Sequence, residues 1–519
     1  MPSTIRPAAL LLAGCLAAAG CASSTGLVPL TTAGSLPPDA TSTSSTTSTT
    51  STTTTVPRDC APVVMPLPEV IPPTDASALS VLLSEATFPC ADEVTVAAIG
   101  DPAAAGRAAL HAAGAGGPLL LANATLQGLA AEIDRLDPLV ITLAGGIDPL
   151  DPVLAGRQTR TMPAGLEIRG GIVQGSAPER LLVVGEAAAT AWPAVWAAAV
   201  ASGDTAVLEQ SGDLRATKPA RLAAIRSAAG AAASLLGPAG EDTGWQLEVI
   251  RSGVELPGGG LLVFPDRRLV AFYGHPETPV LGVLGEQGID GAAATIERMA
   301  PIVASYAAVG IPAIPAFEII ATVASAEAGG DGDYSYETPL GTLRPWVTAA
   351  GERGVYVILD LQPGRTDFLT QAKIYEEFLR LPHVGLAIDP EWRLKPDQVH
   401  LRQIGSVGAD EINQVADWLA AIVRDESLPQ KVLLLHQFRY DMIPDRQNLE
   451  MHPELAIAVQ MDGQGALPTK YETWNALTTQ PDSGRFWWGW KNFYDEDAPM
   501  ATPEEVLDLQ PTVYLVSFQ

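Results

Sequence analysis

Short, almost wholly apolar runs punctuate the second half of the chain, at residues 269–273, 316–322, 355–361, 384–388, 432–436, 456–461, 486–490 and 513–518. Between most of them lie longer stretches in which apolar positions recur every third or fourth residue, as over 292–308, 340–351, 367–381 and 409–424. A run too short for a helix and apolar throughout reads as a strand buried on both faces, and the intervening period reads as a crossover helix. Eight such runs over roughly 275 residues match the size of a (β/α)8 barrel.

The first half alternates differently. From residue 94 the chain reads V-T-V-A-A-I-G, then an Ala-rich segment over 102–114, then G-G-P-L-L-L-A-N-A. Next come L-Q-G-L-A-A-E-I-D-R-L and L-V-I-T-L-A-G-G, and a weaker copy begins with L-L-V-V-G-E at 181–186. Strand-like runs joined by Ala/Leu helices predict βαβ units and a parallel sheet. Polar and Gly residues over 237–244 mark a boundary. The expected organisation is therefore an α/β unit over 60–240 followed by a barrel over 245–519.

The amino terminus changes the setting. Arg6 precedes an Ala/Leu run ending in small residues and cysteine, which is the pattern of a secretory signal rather than a membrane span. It resembles a bacterial lipoprotein signal, with Cys21 or Cys15 as the lipidated residue and Cys21 giving the more usual apolar length; ordinary cleavage near Ala22 is the alternative. Residues 41–55 are only Ser and Thr, within a 22–59 segment that has little to bury and reads as an extended stalk. Outside the cytoplasm, the remaining Cys60 and Cys90 read as a disulfide. The expected location is the outer face of the cell membrane or the wall, held by lipid. Across 519 residues the formal net charge is -28, so nucleic acid is excluded as a charge-driven partner.

Candidate chemistry gathers at the carboxyl ends of the barrel runs, where barrel enzymes place their sites. Residues 384–392 read V-G-L-A-I-D-P-E-W, setting Asp389, Glu391 and Trp392 at the end of the fourth run, and 355–364 set Asp360 and Gln362 at the end of the third. Other run ends offer His275, Glu318, His436 with Arg439, Asp462, and Lys491 with Tyr494. Trp488 and Trp490 lie in W-W-G-W, and indoles beside carboxylates suit stacking on sugar rings. No H-x-H or H-x-x-x-H spacing, G-x-S-x-G elbow or P-loop is present, so no metal or cofactor is expected.

Two resemblances follow. Residues 103–124 (A-A-A-G-R-A-A-L-H-A-A-G-A-G-G-P-L-L-L-A-N-A) and 129–146 (L-A-A-E-I-D-R-L-D-P-L-V-I-T-L-A-G-G) resemble the cell-wall-binding repeat family of bacterial surface proteins, which implies attachment to a wall glycan. The I-D-P-E-W element resembles the D-x-E element of chitinase-like and muramidase-like glycoside hydrolases. That resemblance implies Glu391 as general acid and Asp389 as its ionised partner; Asp360, at the end of the adjacent run, is placed to orient Asp389 or to activate water in an inverting reaction. The expectation is a surface lipoprotein acting on a polysaccharide, with a non-catalytic glycan-binding or scaffold protein as the alternative.

Overall fold

Each barrel run becomes a strand because its alternate residues have two different places to bury. The computed structural model describes residues 58–162, 171–209, 211–238, 240, 242–307 and 311–519. The expected signal sequence, both lipidation candidates and the Ser/Thr tract lie outside the described residues. Asp59 to Gln519 form one compact unit.

Eight parallel strands close on themselves: β1 (Arg268–Gly274), β2 (Ala313–Ala324), β3 (Tyr356–Leu361), β4 (Val384–Ile388), β5 (Lys431–Gln437), β6 (Leu455–Met461), β7 (Trp487–Asn492) and β8 (Val513–Phe518). Each pairs with the next, and β1 pairs with both β2 and β8, so the barrel has no free edge. All eight expected runs are therefore strands of one TIM-like barrel. Helices between them, among them Ala292–Ala307, Leu340–Arg353 and Ala409–Asp425, cover the outside.

Period-two alternation sorts every strand into two cores. One set, including Phe272, Phe317, Leu359, Leu386, Leu435, Val459 and Val516, faces the helices. The other set, including Leu269, Ala271, Ala316, Ile358, Ala387, Leu434, Ala458 and Leu515, fills the barrel interior. Gly385 is needed in that interior. A Cβ there would meet Val432 O at 2.7 Å and the Tyr356 hydroxyl at 2.9 Å, so the missing side chain lets Tyr356 cross the barrel and accept from Val432 N. Below this layer Phe264, Trp487 and Tyr514 pack ring on ring, with centroids 5.4 Å and 4.9 Å apart along the chain of contacts.

β2 is longer than its apolar run. Its end, Thr322–Ala324, pairs antiparallel with a short strand at Ser335–Glu337 to make a hairpin above the barrel.

The Ala-rich half forms two sheets rather than one. Strands Leu119–Ala122, Glu93–Ala98, Val140–Ala144 and Thr159–Thr161 make a parallel four-stranded sheet. The second copy contributes Arg180–Val184, Thr205–Leu208 and Ala232–Leu236 to a separate five-stranded sheet. Helices Ala76–Glu85, Pro102–Ala115 and Trp192–Ser202 lie in one hydrophobic cluster with residues of both sheets, such as Leu121 and Leu182. A helix pressed against a second helix and a sheet on either side has no room for large side chains, which explains the alanines. Asp101 caps Pro102–Ala115 through Ala104 N, and Gly116 at φ +67 ends it. Cys60 and Cys90 are disulfide-bonded.

Candidate active site

The same alternation that fills the barrel floor with aliphatic groups brings polar ones inward one step higher. Two residues beyond Ala271, Ala316, Ile358, Ala387, Leu434, Ala458, Gly489 and Leu515 stand Tyr273, Glu318, Asp360, Asp389, His436, Gln460, Lys491 and Ser517. Register places Tyr273 opposite Glu318, His436 opposite Gln460, and Lys491 opposite Ser517.

His436 is the hub. It is fully buried, and its Nε2 lies 2.8 Å from Glu318 Oε1. Its Nδ1 lies 3.1 Å from Asp462 Oδ2 and 3.7 Å from Asp389 Oδ2. Burial opposes a charge on this ring, but Asp360, Asp389 and Asp462 outweigh it and hold the imidazole well above its ordinary range. Burial likewise pushes Glu318 up. The His436 hydrogen bond and charge, Lys491 and Ser517 overcome that push and keep Glu318 below the usual carboxylate range, with Gln460 Nε2 at 3.2 Å and Ser517 Oγ at 2.5 Å as further donors. Lys491 Nζ sits 3.1 Å from Asp462 Oδ1 and 3.5 Å from the centroid of the Tyr273 ring.

Two carboxyls are left short of cations. Asp360 is fully buried and, among the described residues, accepts only from the Tyr273 hydroxyl, at 2.9 Å, while its Oδ1 has no partner there. Burial, reinforced by Asp389 and Glu318 and opposed by His436 and Lys491, raises it to about 7. Gln362 donates to the same Tyr273 oxygen at 3.1 Å. Glu391 follows Asp389 in a short 3-10 turn, Pro390–Trp392, begun when Asp389 Oδ1 accepts from Glu391 N at 3.2 Å. Its carboxyl makes no ion pair among the described residues. Burial pushes it up to about 8, with Asp389 and Asp462 adding to the push.

Above this layer opens a cavity of about 480 Å³ whose wall includes Tyr273, Gln362, Asp389, Glu391, Trp392, Asp462 and Lys491. Of the residues expected from sequence, these six besides Tyr273 share the cavity, and Glu318, Asp360 and His436 lie in the buried layer beneath it. Asp360 is thus placed to act through Asp389 and Tyr273 rather than on a bound molecule.

Other expected residues go elsewhere. Trp488 and Trp490 point away from the interior, because Trp487, Gly489 and Lys491 take the inward positions of β7. Both are buried against Trp474, with ring centroids 5.6 Å and 5.9 Å away. His275 is buried on Thr338 Oγ1 at 2.9 Å and is not part of the cavity wall. Arg439 is exposed and paired with Asp441, and the exposed Tyr494 packs on Phe518. Sequence reasoning passed over Tyr273, Gln460, Ser517, Phe438 and Phe493, although the first three share the inward parity of their neighbours.

Asp360, Asp389 and His436 each offer one ligand-type atom within 4.8 Å of the others. Of the three, His436 and Asp389 also belong to an ion-pair network with Glu318 and Asp462. What the arrangement can do is present a neutral carboxylic acid, Glu391, next to a second carboxyl, Asp389, inside a walled cavity.

No protein-family model matches the chain, and no curated protein matches it.

Proposed function

We propose that this protein is a surface lipoprotein whose barrel hydrolyses glycosidic bonds of a cell-surface polysaccharide, while its Ala-rich half attaches to the wall. One observation carries the enzymatic part: Glu391 lines the cavity with its carboxyl pushed up to about 8, adjoining Asp389. Glycoside hydrolysis needs such a division of labour. A protonated carboxyl gives its proton to the leaving glycosidic oxygen, and a second carboxylate faces the positive charge growing on the sugar. Glu391 is the donor and Asp389 its partner. Asp360 holds Asp389 in a fixed electrostatic setting, and Trp392 supplies a stacking face. Secretion, lipid attachment and wall binding rest on the amino-terminal sequence and the resemblance of residues 103–146.

The test is to incubate the purified chain with wall and capsular glycans and measure new reducing ends. Wild type should release them and Glu391→Gln should not. Equal release by both removes Glu391 from the mechanism, and binding without release by wild type supports a non-catalytic glycan-binding protein.

A further inference from the structure

The buried polar layer asks for more than its own side chains supply. Glu318, Asp360, Asp389 and Asp462 stand in it against two cations, Lys491 and the His436 imidazolium. The shortfall shows at particular atoms. Asp360 is wholly buried, yet its Oδ1 has no hydrogen-bond partner among the described residues. His436 Nδ1 faces Asp462 Oδ2 at 3.1 Å and Asp389 Oδ2 at 3.7 Å without hydrogen-bond geometry to either. Buried polar atoms left in this state call for an occupant, a water or an ion.

The arrangement around them is that of a ligand set. Asp360, Asp389 and His436 each offer a donor atom within 4.8 Å of the others. Two donors on a tetrahedral zinc, bonded at about 2.0–2.1 Å, stand roughly 3.3–3.4 Å apart, close to the spacing of Nδ1 and the Asp389 carboxylate. The ring is also oriented as a metal-bound histidine is oriented. Glu318 Oε1 lies 2.8 Å from Nε2 and accepts its proton, which turns Nδ1 toward the aspartates. Ligand imidazoles bind as neutral rings, so an ion would take the place of the Nδ1 proton, which passes to solvent. A divalent ion then brings two positive charges where the proton brought one, and Asp360 gains the partner it lacks. Asp389 lines the cavity, which gives the ion a way in. Lys491 is turned to Asp462 Oδ1 and the Tyr273 ring, outside the three ligands.

We propose that Asp360, Asp389 and His436 form a site for a divalent transition-metal ion of the zinc type. One imidazole nitrogen with carboxylate oxygens suits such an ion, whereas calcium takes six to eight oxygens. The inference goes beyond the hydrolase reading and does not depend on it. An ion on Asp389 takes the charge that Asp389 would turn toward a sugar, so the ion-loaded and glycan-cleaving barrels are alternative states.

Dialysis of the chelator-treated full chain against buffered zinc, with bound zinc counted by mass spectrometry and no glycan present, tests this. A second, more exposed set, Asp417, Glu450 and His452, also gathers ligand atoms, so the measurement is made in His452→Gln. That chain should hold one zinc with a Kd of about 1 μM or tighter, and calcium in about hundredfold excess should not displace it. Adding Asp360→Asn, which keeps the side chain's shape, should weaken binding about tenfold or more. Diffraction at the zinc absorption edge reads the site in the chain that retains Asp360, so a folding defect in Asp360→Asn does not decide the matter; the ion should lie among Asp360, Asp389 and His436. No zinc held at about 100 μM overturns the inference and leaves water as the occupant. Undiminished binding with Asp360→Asn, displacement by calcium, or zinc located elsewhere overturns it too. None of these results bears on the hydrolase reading, which stands or falls on reducing ends.

Discussion

The lower and upper halves of the barrel interior are built by the same eight strands and are both buried, yet they do opposite work. Below, Leu269, Ala316, Ile358, Leu434 and Leu515 bury apolar surface, and each large aliphatic group contributes about 1.5–3 kcal/mol. One inward position higher, Glu318, Asp360, Asp389, His436 and Lys491 are withdrawn from water as charges or near-charges. Most of them are paired with one another, Asp360 being held by the Tyr273 hydroxyl instead, and buried ion pairs of this kind add little net stability. The lower half holds the barrel closed. The upper half uses that rigidity to hold two carboxyls out of water, and burial, reinforced by neighbouring carboxylates, moves Asp360 and Glu391 toward neutral pH.

The sharpest way to break this contrast is at the mouth. Glu391→Gln removes the proposed proton donor while keeping shape, and on the hydrolase proposal turnover of a susceptible glycan should fall by about 10²–10⁴-fold with folding unchanged. Lys491→Met, which strips one of its two cationic partners from Asp462, should lower unfolding free energy by about 3–5 kcal/mol in denaturant titration. Ile358→Ala, in the lower half, should cost about 2–5 kcal/mol while changing the pH profile of turnover far less than a change at Asp360, because the side chain removed carries no charge.

A subtler difference concerns pH. Asp360 rises from 3.8 to about 7 and Glu391 from 4.5 to about 8, so the folded state binds these protons more tightly than the unfolded chain. Their stabilising contribution is complete below the unfolded values and is lost as pH rises through 7 and then 8. Asp360→Asn should flatten the decline of melting temperature between pH 4 and 7 relative to wild type. The smallest effect is expected from Trp392→Ala, which should raise KM by about threefold to tenfold with little change in kcat.

Much of this was legible in the chain because parity carries the information. V-Y-V-I-L-D-L-Q contains two interleaved sets, Val355, Val357, Leu359 and Leu361 for the helices, and Tyr356, Ile358, Asp360 and Gln362 for the interior. Reading that parity through W-W-G-W would also have turned Trp488 and Trp490 outward, but composition draws attention to indoles as ligand contacts before it suggests that they pack on Trp474. Tyr273 was missed for the converse reason. An aromatic ending an apolar run looks like core, and only its distance to Asp360 and the Lys491 ammonium above its ring reveal a polar use. The split of the Ala-rich half into two sheets was illegible because local patterns predict strands and helices but not which strands pair across a layer of helices. His275 shows the limit from the other side, since a polar strand end can simply satisfy a neighbour such as Thr338.

The central claim is that Glu391 remains a neutral acid at physiological pH while the carboxyls around it divide between paired anions and buried neutrals. It can be measured without any substrate, by following the carboxyl of Glu391 through a pH titration with carbon-13 labelling and assigning the signal by its loss in Glu391→Gln. The account predicts a midpoint near about 8. A midpoint near 4.5, the value of an unperturbed glutamate, would contradict it.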